Sequence, residues 1–248
     1  MPDIKLLHGD CIQLIDNILD ESIDLILTDI PYNISQENNF QTMKDREGRN
    51  GIDFGKWDYD FDVSCLAIFQ SKLRKGGSLF LFHEYMQYAD ICNTLSKLEL
   101  KDRIIWEKTN AMIRNSERRY IANAEIASWY TKPGDTWVFN RQYSPYDGSV
   151  YRYPSESGGG FDRYHPCQKP QALLEDIIKR HSNKGDTILD PFMGSGSTGV
   201  AAYNLDRNFI GIEIDNDYYS IAQQRLEAVK CGATPKISKN TSKTKALF

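Results

Sequence analysis

The sequence predicts an α/β fold: a Rossmann-like, mostly parallel sheet, circularly permuted so that its ligand-binding turn falls in the last third of the chain. Three observations carry this reading. Short apolar runs alternate with segments of helical period along most of the 248 residues, as successive strand–helix units require. A glycine-rich run, Asp190-Pro-Phe-Met-Gly194-Ser-Gly196-Ser-Thr-Gly199, lies between an apolar run and a helical one. Only residues 214–248 follow the acidic Glu213. They are too few to supply the remaining parallel strands, which must therefore come from earlier in the chain.

The elements follow in order. Residues 4–7 predict a strand, 11–18 a helix and 24–28 a buried strand. Residues 33–60 are polar, rich in Asn, Gln, Asp, Arg and Gly, with the aromatics Phe40, Phe54, Trp57 and Tyr59. A connection of that length is either functional or disordered. Alternation resumes with a helix near 63–73, a turn at Gly76-Gly77, a strand at 79–82, a helix at 85–97 and strands at 103–106 and 126–130. Residues 132–164 have weak periodicity and much Tyr, Gly, Pro, Ser and Arg, and read as an inset lobe or loop cluster. The last block is the cleanest: helix 170–181, strand 187–189, the glycine turn, a helix through Ala202, strand 209–212 and helix 216–229. Residues 232–248 read as a polar, frayed tail.

Composition excludes several classes. A hydrophobic content of 40% with mean hydropathy −0.53 suits a soluble enzyme with long polar loops. No apolar run reaches membrane-spanning length and no signal pattern opens the chain, so a cytoplasmic location is expected. Cys11, Cys65, Cys92, Cys167 and Cys231 form no C-x-x-C pair, so neither a zinc site nor a disulfide framework is supported, and no metal is expected. A net charge of −4 argues against a non-specific nucleic-acid binder but leaves room for local basic faces. Such clusters occur at Lys44, Arg46 and Arg49, and at Arg114, Arg118 and Arg119; solvated surface is the ordinary explanation of any one of them.

Glycines between a strand and a helix let the backbone approach a ligand, and the helix N-terminus offers free N–H donors. A lone turn of this kind is as often structural. Glu213, nineteen residues after Gly194 and at the end of the next predicted strand, is where a carboxylate receives ribose hydroxyls. A nicotinamide cofactor fits the three glycines but not the missing strands. If the first strand lies beside the last, Asp10 reaches the same edge and suits an adenine amine. Asp190, Glu213, Asp10 and Asp29 then all end parallel strands, the edge where open α/β sheets bind ligands. Any one of them alone could simply cap a helix.

Here the residues carry a family resemblance. Asp29-Ile30-Pro31-Tyr32 after an apolar strand resembles the catalytic motif of amino-methyltransferases. Asp190 to Thr198 resembles their cofactor loop, and His165-Pro-Cys-Gln-Lys-Pro170 the segment before it. The motif order is similar to that of the β group of DNA amino-methyltransferases of restriction–modification type, over residues 4–33, 76–130 and 165–225. The family usually has Pro where this chain has Ile30; the role carried to that position is a backbone carbonyl, which Ile also supplies. The resemblance implies residues 1–131 as the catalytic half, with 35–60 a mobile loop, 132–164 as a target-recognition inset and 165–231 as the cofactor half. It implies S-adenosylmethionine as cofactor, held by Asp10, Cys11, Lys169, Asp190, Phe192, Gly194, Ser195, Gly196, Ser197, Thr198 and Glu213. Lys169 is expected at the methionine end of the cofactor or as a cap on the fold.

The expected reaction is transfer to adenine N6 of a flipped-out base. Asp29 and the Ile30 carbonyl orient the amine, Pro31 stiffens the turn and Tyr32 stacks on the base. Cytosine N4 is the nearest alternative; Asp29 favours adenine because the family tends to place Ser there for cytosine. A non-catalytic DNA-binding module is the alternative from another class. Pro166-Cys167-Gln168 spells the nucleophile motif of cytosine-C5 enzymes, but it precedes the cofactor loop instead of following it, so Cys167 is not expected to be catalytic. DNA is the expected partner, with residues 35–56 and 132–164, and Arg114, Arg118, Arg119, Arg141 and Arg152, as candidate contacts. The resemblance also suggests a cognate restriction enzyme and a monomeric or homodimeric state.

Overall fold

Strand β2 (Ile23–Asp29) is the hub of the molecule, its interior closed to solvent on both faces, as the apolar run Ile-Asp-Leu-Ile-Leu-Thr requires of a central parallel strand. This is a computed structural model, and it describes residues 1–33, 58, 61–111, 113, 117, 120–156, 164, 165 and 167–233. The other strands are β1 (Ile4–His8), β3 (Leu73–His83), β4 (Glu99–Lys108), β5 (Ala124–Thr131), β6 (Val150–Tyr153), β7 (Thr187–Asp190) and β8 (Asn208–Glu213). They form one sheet in the order β1-β8-β7-β2-β3-β5-β4-β6. The pairings from β1 across to β3 are parallel. β5 runs antiparallel to both β3 and β4, and β6 joins β4 in parallel. The sheet is thus mostly parallel with one reversed strand.

Alternation along β2 divides the core. Leu25 and Leu27 pack with Phe80, Ile188 and the inward faces of helices α4 (Gln171–His181), α5 (Ser197–Asn204) and α6 (Asn216–Lys230). Ile26 points the other way, with Leu79, Leu81 and Leu189, toward α1 (Cys11–Leu14), α2 (Phe69–Lys72) and α3 (Tyr88–Thr94). One helical layer therefore covers each face.

Several elements differ from the expected ones. The helices expected at 11–18, 63–73 and 85–97 are each shorter α-helices joined to a 3-10 turn, at Ile15–Asn17, Val63–Ile68 and Tyr85–Gln87. The turn at Gly76-Gly77 lies inside β3. Ile23 pairs with Leu73 but Leu25 pairs with Ser78, so residues 74–77 bulge from the ladder and Gly76 takes a φ of 71°, a conformation glycine adopts without strain.

Within 132–164, β6 extends the main sheet. The segment is also pinned to α4 by buried Arg180, whose guanidinium lies 2.9 Å from Asp147 and 3.1 Å from Asp176. Replacing Arg180 by Met leaves the Asp147 carboxylate, 3% exposed, without its cation. Chemical denaturation should show a loss of about 3–5 kcal/mol, as for other broken buried pairs.

Candidate active site

Parallel pairing brings four strand ends to one edge. β1 runs beside β8 with His8 opposite Glu213, and the Gly9 N–H closes onto the Glu213 carbonyl at 2.9 Å. Across the sheet order the ends therefore read Asp10, Glu213, Asp190 and Asp29. A single cavity spans them, its walls including Asp10, Asp29, Tyr32, Lys169, Phe192 and Glu213.

On the glycine-loop side, the Glu213 carboxylate accepts the Gly194 N–H on one oxygen and the Asp215 N–H on the other, both at 2.8 Å. Burial raises its pKa. Asp190 acts on the loop itself: its Oδ1 accepts the Thr28 hydroxyl at 2.7 Å and the Phe192 N–H at 3.2 Å, and the Thr198 side chain also bonds to it. Burial pushes this carboxyl up to about 6. The Phe192 ring meets Phe61 and Phe69 edge-on at 5.4 and 6.2 Å. Gly196 caps α5 with φ 79°, and a Cβ there would sit 2.9 Å from the Ala222 methyl.

Ser195 and Ser197 are tied from below by buried Arg225, which donates to the Ser195 carbonyl at 2.7 Å and to both hydroxyls at 3.0 Å. Arg225 was missing from the expected site. Its signal was its place in α6, one residue before Leu226 and three after Ala222, a spacing that puts it on the buried face. Asp10 accepts the Ile12 N–H at 2.9 Å and so caps α1. Beside it, Cys11 lines the cavity, its thiol pushed up to about 12 by burial.

On the other side, the turn after β2 is held at every residue. The Ile30 N–H donates to the Phe82 carbonyl at 3.3 Å, and its side chain is buried in the core. The Pro31 carbonyl accepts from Gln87 at 2.8 Å. Asp58 accepts the backbone N–H groups of Tyr32 and Asn33 at 2.7 and 3.0 Å. Tyr32 donates its hydroxyl to Asp29 Oδ1 at 2.6 Å, while the Lys169 ammonium bonds Asp29 Oδ2.

Lys169 is thus placed on the Asp29 carboxylate and 3.0 Å from Glu125, within the same cavity as the glycine loop. Burial pushes Asp29 above the usual carboxylate range, and Lys169 opposes the rise. Burial acts on Glu125 in the same sense, but Lys169 and Lys108 outweigh it and hold that carboxyl at about 2. Cys167 lies in the same wall. Burial, reinforced by Asp29, pushes its thiol up to about 12, far from the thiolate a nucleophile needs.

Asp58, Gln87 and Glu125 were missed by sequence reasoning. Their roles depend on contacts 17 to 93 residues away along the chain, for which a single sequence offers no local signal. Of the expected DNA contacts, Arg141 donates to the Pro145 carbonyl at 2.5 Å and Arg152 to Glu107 at 2.8 Å, both on the surface. Arg114, Arg118, Arg119 and residues 35–56 lie outside the described residues, as does the tail beyond Ala233.

Strand order and site together define an α/β protein in which a glycine loop and an acidic turn share one cavity at one sheet edge. A family profile described as DNA methylase, of the N6/N4 type, matches residues 23–224, and the chain belongs to that family. It is 30% identical to the type II methyltransferase M2.DpnII of Streptococcus pneumoniae, over 90% of this chain and 89% of that protein. It is also 30% identical to the DNA adenine methyltransferase YhdJ of Escherichia coli (strain K12), over 94% and 86%. Among solved structures, the M1.HpyAVI–SAM complex matches with TM-score 0.70 and 33% identity, covering 90% of this chain and all of that one. The cytosine-N4-specific PvuII methyltransferase matches with TM-score 0.72 at 16% identity, over 98% and 89%, a likeness of fold.

The Asp190 shift has a stability consequence. Its folded pKa lies above the unfolded value, so the folded state holds the proton more tightly. Stability therefore falls as pH rises from about 4 to about 6. Asp190→Asn removes this dependence, and the difference between wild-type and variant unfolding free energies should change across that window by up to about 3 kcal/mol.

Proposed function

We propose that the protein methylates DNA at adenine N6 with S-adenosylmethionine as methyl donor. The observation that carries this reading is the single cavity shared by Glu213 and Asp10 on the glycine-loop side and by Asp29 and Tyr32 on the other. Relatives named as type II and adenine methyltransferases support it.

The donor set suits the cofactor. A carboxylate has roughly four acceptor sites, so Glu213 keeps capacity for ribose hydroxyls while holding the Gly194 and Asp215 N–H groups. Asp10 has a second oxygen for an adenine amine, and Phe192, Pro191 and Ile214 supply apolar wall. When bound, S-adenosylmethionine supplies a methyl group made electrophilic by its sulfonium.

An exocyclic amine is a weak nucleophile because its lone pair is delocalised into the ring. Asp29 and the Ile30 carbonyl, accepting its two N–H bonds, localise that pair and aim it at the methyl carbon. With the cofactor held there, the N–C bond would form as the sulfonium C–S bond breaks and S-adenosylhomocysteine leaves, and the nitrogen would shed one proton, for which the Asp29 carboxylate is the acceptor at hand. The stiffness that a second proline would give the motif comes here from burial of the Ile30 side chain and the Phe82, Gln87 and Asp58 bonds. Tyr32 offers its ring to a base taken out of the stack, exchanging its hydroxyl bond to Asp29 for that contact.

On the same reading residues 1–131 and 165–231 are the two halves of one circularly permuted domain, supported by β7 and β8 lying between β1 and β2. Arg141 and Arg152, within 132–164, are the candidate DNA contacts among the described residues. The protein works in the cytoplasm, as monomer or homodimer, beside a cognate restriction enzyme. Among the described residues no helix is long and apolar enough to cross a membrane.

Labelled-methyl transfer to DNA followed by nucleoside analysis tests the reading. N6-methyl-2′-deoxyadenosine is expected, whereas N4-methyl-2′-deoxycytidine or no product would overturn it. Asp29→Ala should abolish transfer with cofactor affinity nearly unchanged. Tyr32→Ala should weaken base stacking by roughly 1–3 kcal/mol, read as a rise in the DNA dissociation constant. Cys167→Ser should keep its activity; complete loss with the cofactor still bound would return the thiol to the mechanism.

A further inference from the structure

The reversed strand β5 carries a residue to the active edge that no motif marks. Because β5 is antiparallel to β3, its beginning lies beside the end of β3, with Ile126 opposite His83. Glu125 thereby reaches the edge where β2 ends in Asp29. β4 runs against β5 with Trp106 opposite Glu125, and its last residue, Lys108, arrives at the same place. The four side chains alternate in charge. Lys108 lies 2.7 Å from Glu125 Oε1, Lys169 lies 3.0 Å from Glu125 Oε2, and Lys169 bonds Asp29 Oδ2.

Lys169 is 6% exposed and its ammonium sits 5.0 Å from the Phe82 ring centre and 5.5 Å from that of Tyr32. An ammonium so enclosed requires fixed anions on more than one side. Asp29 is one. Glu125, itself steadied by Lys108, is the other.

We propose that Glu125 is a positioning residue for methyl transfer: it holds Lys169 from the β5 side, and Lys169 in turn fixes the orientation and charge of the Asp29 carboxylate. This rests on the activity proposed above. Two carboxylates flank one ammonium, so they oppose each other. Lys169 favours the ionised form of Asp29, the form that accepts an amine hydrogen, while Glu125 disfavours it and so keeps Asp29 basic enough to take the proton that methylation releases. Among the described residues, the other titratable groups facing Asp29 are Tyr32 on its own turn, Cys167 on the segment before α4, and Asp190 on β7; none of these is a cation.

The opposed signs give a test in the free protein that does not depend on activity. Aspartate carboxyl carbons are labelled with carbon-13 and titrated by NMR, with Asp29→Asn assigning the resonance. Lys169→Met should move the Asp29 titration upward by about one pH unit or more. Glu125→Gln should move it downward, and the double variant should return it toward wild type. The acid limb of the methyl-transfer pH profile should follow in the same directions. Turnover in Glu125→Gln should fall by about ten-fold or more, as loss of positioning does, with KM for DNA and cofactor affinity within about two-fold.

An Asp29 titration unmoved by Glu125→Gln, or moved the same way by both single variants, overturns the inference. If Lys169→Met does not fold, the sign of the Glu125→Gln shift alone decides. Expected NMR shifts in a protein that transfers no methyl group would overturn the activity and leave the charge arrangement standing. Methyl transfer with an unmoved Asp29 would do the reverse.

Discussion

The register between β1 and β8 is the constraint on which the site depends. Pairing His8 with Glu213 and closing the Gly9 N–H onto the Glu213 carbonyl sets residues from the two ends of the sequence side by side. It also makes β8 an interior strand, buried along most of its length. Without it Asp10 has no place at the edge and the cavity loses one wall. A slip of one residue would turn Leu6 and its neighbours to the opposite face, so the hydrophobic pattern of both strands enforces the alignment that the chemistry uses.

Next to this constraint sits an electrostatic one. The turn after β2 ends that strand in a place dry enough to raise a carboxyl pKa, which is why Asp29 and Asp190 both shift upward. Their surroundings differ. Asp190 meets hydroxyl and amide donors that knit the glycine loop to β2. Asp29 meets an ammonium and a phenol. One serves as a structural clasp, and the other is left as the carboxylate whose partners can be exchanged.

The parts of the architecture readable from the sequence were those governed by short-range periodicity. Every strand expected between residues 4 and 212 exists; β1, β2, β7 and β8 gain one or two residues, while β3, β4 and β5 gain three to seven. Long helices were overestimated on the α1–α3 face. There Asp10 and Asp62 each cap a turn by accepting an N–H two residues on, yet the segments that follow pass into 3-10 geometry or break early. The strand β6 escaped notice because its pattern, Val-Tyr-Arg-Tyr, is short and half exposed. At the sheet edge, glycine spacing and acidic strand ends pointed to Asp10, Asp29, Asp190 and Glu213, which the structure gathers in one cavity. Glu125, Asp58 and Arg225 escaped because each acts through a partner far away in sequence, and nothing local marks a carboxylate that will meet a lysine 44 residues later.

The interleaving of β7 and β8 between β1 and β2 bears on how the chain is made. During synthesis the first strand emerges some two hundred residues before the strand it pairs with, so it must wait unpaired until residue 213 has left the ribosome. Non-local parallel pairing of this kind is slow to form. The β1–β8 edge is therefore the last part of the sheet to close, and the cavity it walls takes shape only once residue 213 has been made.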